Sequence, residues 1–201
     1  MWKQMMLGLL LVAPGLTVRA EEAPRHNPVM LTKVGEIDQA LMDRLKNWVE
    51  SQLAIPLPLT ESLQTTAVKL DEVAVAAAER LAPEDLGLVV LAAQADTAEP
   101  NGIYQPEQRV VVINVADMRE GADDEKFARR MERQVVRGVG VLMGLTWSPN
   151  PESAMAHYTT IEELDQMGRN LDPPWLLKLQ ERARELGIPL DPDNPANFFP
   201  E

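Results

Sequence analysis

The chain contains no cysteine. A disulfide framework, a thiolate metal site, a redox Cys-x-x-Cys and a cysteine nucleophile are therefore excluded. Small exported proteins often depend on disulfides, but 201 residues are enough to build a core that holds without them. Histidine is scarce as well. His26 and His157 are the only two, too few for a three-histidine zinc site. Cations are outnumbered, with 19 Lys and Arg against 31 Asp and Glu, a formal net charge of −12. Binding to nucleic acid needs clustered cations facing phosphate, so that class of partner is not expected. The acidic excess reads as a solubility feature. Aromatic residues are few, 4% of the chain, so Trp48, Trp147 and Trp175 stand out as anchors in the core or at its rim.

Long apolar runs are also missing. The longest one, in "MWKQMMLGLLLVAPGLTVRA", is shorter than the roughly 20 residues a membrane-spanning helix needs. It has one cation at Lys3, an apolar stretch from Met5 to Leu16, and "VRA" as a small-residue cleavage site. This pattern predicts a signal peptide over 1–20, export to the periplasm or extracellular space, and no stable membrane anchor after cleavage. Residues 21–27 read as a flexible mature N-terminus, 28–187 as the folded domain, and the Pro-rich 188–201 as an irregular tail.

Within the domain, "PVMLTKV" (28–34) predicts a strand. Ile37, Leu41, Leu45, Val49 and Leu53 recur every four residues and predict an amphipathic helix over 35–54. Prolines hold "IPLPLTES" extended. A second helix is expected over 71–83, closed by Pro83, and buried strands over 86–94 and 110–115, with a short edge strand near Ile103 and Tyr104. A long helix over 122–145 carries Phe127, Met131, Val135 and Leu142 as its apolar stripe, and Asp123, Asp124 and Glu125 where the helix dipole favours acid. A short helix follows, with Thr160 and Glu163 at capping-box spacing and Gly168 at its end. The last helix, 173–187, starts at proline and stops at glycine. The order β-α-β-α-β-β-α-α-α implies a layered α/β domain.

The stretch "RQVVRGVGVLMGLTWSPNPESAM" (133–155) carries the most specific signal. Its glycines do not make a nucleotide loop: the spacing is G-x-G-x-x-x-G and it falls late in a helix. Each helical glycine costs about 1 kcal/mol relative to alanine, so close packing against a neighbour is the expected compensation. The stretch instead has the spacing of the metzincin zinc motif, H-E-x-x-H-x-x-G-x-x-H followed by a Met-turn. In that motif two histidines one turn apart share a helix face, a glycine breaks the helix, and the chain returns a third histidine to the metal. Here Gly144 stands at the helix-breaking glycine and Met155 at the Met-turn methionine.

With these positions in place, the chain resembles the archaemetzincin family over roughly 28–187. Ser148 and Ser153, followed by Met155, reproduce the family's Cys-x4-Cys-x-Met spacing with both cysteines replaced. The later cysteine pair of the family's structural zinc has no counterpart within 172–176. "VVVINVADMR" before the long helix, and "EELDQMGRNL" after Met155, are similar to the family too. The resemblance implies a metzincin-like layered αβα domain with a small mixed sheet, a long helix that once carried zinc, and C-terminal helices. It puts Arg137, Val141 and Trp147 at the three ligand positions and Gly138 at the general-base glutamate. Arginine is a fixed cation, valine has no donor atom, the indole only donates, and glycine takes no proton. Zinc, the family's cofactor, is therefore not expected, nor is any catalytic residue. The expected protein is an exported, catalytically inactive relative whose remnant cleft binds a peptide or protein. An active zinc peptidase with a relocated site, using His157 with Glu152, Glu162, Glu163 or Asp165, is the first alternative. An unrelated α/β interaction protein is the second. Arg137 is expected to pair with a carboxylate or to lie exposed. Trp147 is expected to fill the metal's place or to pack on the core.

Overall fold

In the computed structural model, residues 26–199 are described; the predicted signal peptide and most of 21–27 lie outside them. The chain runs β1 (Met30–Val34), α1 (Gln39–Leu53), α2 (Leu70–Ala78), β2 (Leu88–Ala92), β3 (Gly102–Gln105), β4 (Val110–Asn114), α3 (Val115–Arg119), α4 (Asp124–Leu142), α5 (Ile161–Gln166) and α6 (Pro173–Glu185). The strands form one mixed sheet in the order β1-β2-β4-β3. β1, β2 and β4 are parallel, and β3 is antiparallel to β4.

β2 and β4 are buried along their full length, as central strands covered on both faces must be. Alternation of side chains sends Leu88, Val90, Val110 and Val112 to one face, where α2 covers them with Leu70, Val73 and Ala77. Val89, Leu91, Val111 and Ile113 point the other way, against α1 and α4. The αβα layering expected from the resemblance is therefore observed. The proline-extended segment lines the outer side of β1: the Leu31 amide donates to the Pro58 carbonyl, and the Thr60 amide donates back to the Leu31 carbonyl.

Several boundaries move for local reasons. α1 starts at Gln39 because Asp38 caps it, accepting from the Ala40 amide. α2 stops at Ala78, and the Arg80 and Leu81 amides reach only three residues back. Pro83 disfavours helix at Ala82. The five-residue α3 was not expected. It begins where the Asn114 side chain, at the end of β4, accepts from the Asp117 amide. Gly168 does not cap α5. It stands where an added Cβ would lie 1.9 Å from the Glu152 carbonyl oxygen, so its role is close backbone approach. His26 and Asn27 are not free, as their amides donate to the Leu186 and Glu84 carbonyls. The tail is irregular but docked: the Asp191 amide donates to Ala54, and Gln180 Nε2 donates to the Leu53 and Ala196 carbonyls.

Candidate functional site

α4 positions the site. Its sequence, DEKFARRMERQVVRGVGVL, places an unusual number of polar side chains in the interior: Arg130, Glu132, Arg133, Gln134 and Arg137 are all buried. Each needs a partner. Arg130 makes a two-pronged pair with Asp165 at 2.8 Å and also donates to the Met118 and Glu120 carbonyls. Burial would raise the Asp165 carboxyl, but the Arg130 and Lys126 contacts outweigh it and hold the group below its ordinary range. Glu132 is met by Arg44 and Arg169.

Near its C-terminal end the helix closes tightly. Gly144 has φ +85°. The Leu145 amide donates to the Gly140 carbonyl and the Gly144 amide to Val141. This is a Schellman turn, which glycine at this position favours. The chain then runs to Trp147 and returns through 153–158. The Ser148 amide donates to the Met155 carbonyl. Met155 is fully buried, and an added Cβ on Gly140 would lie 2.8 Å from its sulfur. An added Cβ on Gly138 would lie 3.1 Å from Val89 and 3.2 Å from Val111. The glycines of α4 thus permit close approach, Gly138 to the sheet and Gly140 to the Met155 floor.

Arg137 lies between these surfaces and is 3% exposed. Its Nη1 donates to the Ala154 carbonyl at 2.8 Å and to the Ala156 carbonyl, the residues on either side of Met155. Three aromatic rings surround the guanidinium, with its central carbon 4.7 Å from the Trp147 ring centroid, 4.8 Å from Tyr158 and 6.0 Å from Tyr104. Tyr104 and Trp147 meet edge to face at 5.8 Å. Tyr104 Oη donates to Gln134 Oε1, and Gln134 Nε2 donates to Tyr158 Oη. Burial pushes the Tyr104 hydroxyl up to about 12.

Arg137, Trp147 and the backbone around Met155 therefore come together. Val141 follows one turn after Arg137 and is partly buried at the core's edge. Ser148 and Ser153 are buried in the loop, where their Oγ atoms accept from the Asn150 and Met155 amides. Two expectations are corrected. Arg137 is neither exposed nor paired: among the described residues no carboxylate lies within ion-pair distance of it. Trp147 does not fill the interior but covers the guanidinium from outside, 43% exposed. Sequence reading missed Gln134 and Tyr158 as members of the site and took Tyr104 only for an edge strand. One signal was available: the chain has two tyrosines, and both face Arg137.

The relocated site does not assemble. His157 is exposed. Glu163 accepts from the Thr159 amide and hydroxyl, and those bonds hold its carboxyl below its usual range. Asp165 is committed to Arg130 and Lys126. Among the described residues no three His, Cys, Asp or Glu side chains group around one metal position. The donor set around Arg137 does not fit a zinc ion either. It offers a fixed cation, two tyrosine hydroxyls already hydrogen-bonded, and an indole that cannot accept. A cavity of 560 Å³ lies away from this cluster, among α1, α3 and the start of α4.

A small mixed sheet thus lies over a long helix that ends in a glycine turn and a loop floored by Met155. Comparison with solved structures makes this specific. The archaemetzincin of Methanopyrus kandleri superposes with a TM-score of 0.63 at 16% identity, over 79% of this chain and 96% of that one. A zinc-dependent peptidase from Methanocorpusculum labreanum gives 0.58 at 15%, over 75% and 99%. The archaemetzincin of Archaeoglobus fulgidus, solved with malonate, gives 0.55 at 13%, over 76% and 99%. The fold of this chain is archaemetzincin-like. No family model and no curated protein sequence matches it.

Proposed function

We propose that the protein is an exported, non-catalytic relative of the archaemetzincin-type peptidases that binds an extended peptide or protein segment against β3. One observation carries this reading. Arg137 and Trp147, two of the three residues at the ligand positions the resemblance assigns, meet at a guanidinium enclosed by Tyr104, Trp147 and Tyr158. A cation held there repels a second cation at close range, and glycine at the general-base position takes no proton. Gly138, at the base position, faces Val89 and Val111, so a glutamate there would be driven into the sheet. β3 remains suited to binding, since it pairs with β4 on one side only among the described residues, and an unpaired edge can accept an added strand. The test is a cleavage assay on a mixture of unstructured peptides, with zinc added and then removed by chelator. No turnover above the buffer control is expected. Hydrolysis that depends on zinc and stops with chelator would sink the proposal.

A further inference from the structure

We infer that Arg137 is the anchor for a carboxylate on the bound peptide, with Trp147 as its movable cover. This rests on the peptide-binding reading above. A buried cation normally finds an anion, and Arg130, two turns earlier on α4, does so through Asp165. Arg137 has only carbonyl oxygens and ring faces. Its Nη1 is used on Ala154 and Ala156, and its Nε reaches Tyr104 Oη at 3.4 Å. Nη2 makes no hydrogen bond within the described residues and is open to solvent rather than sealed in the interior. A carboxylate completes such a site with charge-assisted bonds, for which the planar guanidinium is well matched.

The approach to it is also built. Trp147 shields the guanidinium while 43% exposed, and its indole N–H has no acceptor among the described residues. Moving it costs a ring contact with Tyr104 and a cation–π contact but breaks no hydrogen bond of its own. Tyr104 belongs to β3 and touches Arg137. The Tyr104 side chain thus links β3, the edge proposed above to receive the peptide, to the guanidinium.

The probe is an acetylated alternating alanine–valine peptide, titrated into the full chain and followed by tryptophan fluorescence and calorimetry. Three forms are compared: a free C-terminal acid, a C-terminal amide, and an amide carrying one internal glutamate. The acid, the internal-glutamate form, or both are expected to bind at least about tenfold more tightly than the plain amide. Which form does so tells a terminal from a side-chain carboxylate. Arg137→Lys, checked for fold by circular dichroism, is expected to lose most of that preference because a point charge does not replace the fork. Trp147→Ala is expected to lose the fluorescence change that displacement of this ring produces. Equal binding of all three forms would overturn the anchor and leave the peptide-binding reading standing. No binding of any form would overturn both.

Discussion

Arg137 holds one loop and the strand β3 to one helix. Its Nη1 ties the carbonyls on both sides of Met155 to α4, and its charge orders three rings drawn from β3 and the loop after α4. Arg137→Met keeps much of the volume but leaves both carbonyls without a donor. It is expected to cost about 2 kcal/mol, read as a lower urea midpoint. Tyr104 gives the cage a pH signature. Its hydroxyl is raised from 10.0 to about 12 by burial. The folded state therefore holds its proton where the unfolded chain has lost it. That stability is complete below about pH 10 and disappears as pH rises toward 12. Urea midpoints measured across this window are expected to fall for the native chain and to fall less for Tyr104→Phe.

The elements around the cage are set by a few local constraints. α4 approaches the sheet at Gly138 and turns at Gly144. Gly144→Ala forces a Cβ into φ +85° and is expected to cost about 1 kcal/mol. Gly138→Glu restores the base of the zinc motif but drives a carboxylate between Val89 and Val111. It is expected to cost about 4 kcal/mol or to prevent folding, as thermal melting would show. α5 is tied to α4 through Asp165, whose carboxyl is held below its ordinary 3.8. The stability from that group is present above about pH 4 and lost as pH falls through the lowered value. Asp165→Asn leaves Arg130 buried without its anion and is expected to cost about 3 kcal/mol at neutral pH. The variant should also show a weaker acid dependence below pH 4.

Across the chain, what was legible in the sequence depended on period and spacing. The apolar runs of β2 and β4 and the four-residue repeat of α1 each report burial directly, and the structure has all three. The spacing from Arg137 through Gly144 to Met155 was legible because a helix, a glycine turn and a return loop fix those distances. α3 was not, since its five residues are too few to show a helical period and it begins directly at the end of β4. The cage was not either. Tyr104, Gln134, Trp147 and Tyr158 come from three separate stretches, and only folding brings them to one guanidinium. The carbonyl partners of Arg137 were equally hidden, because a backbone acceptor leaves no mark in sequence.

The central claim is that Arg137 stands in place of a metal. Equilibrium dialysis of the full chain against zinc tests it most directly, with the variant carrying Arg137→His, Val141→His and Trp147→His alongside. The native chain is expected to retain no stoichiometric zinc, and the triple variant to retain one ion per chain because the three substitutions restore the histidine spacing of the zinc motif. An equivalent of zinc held by the native chain through dialysis would contradict the account.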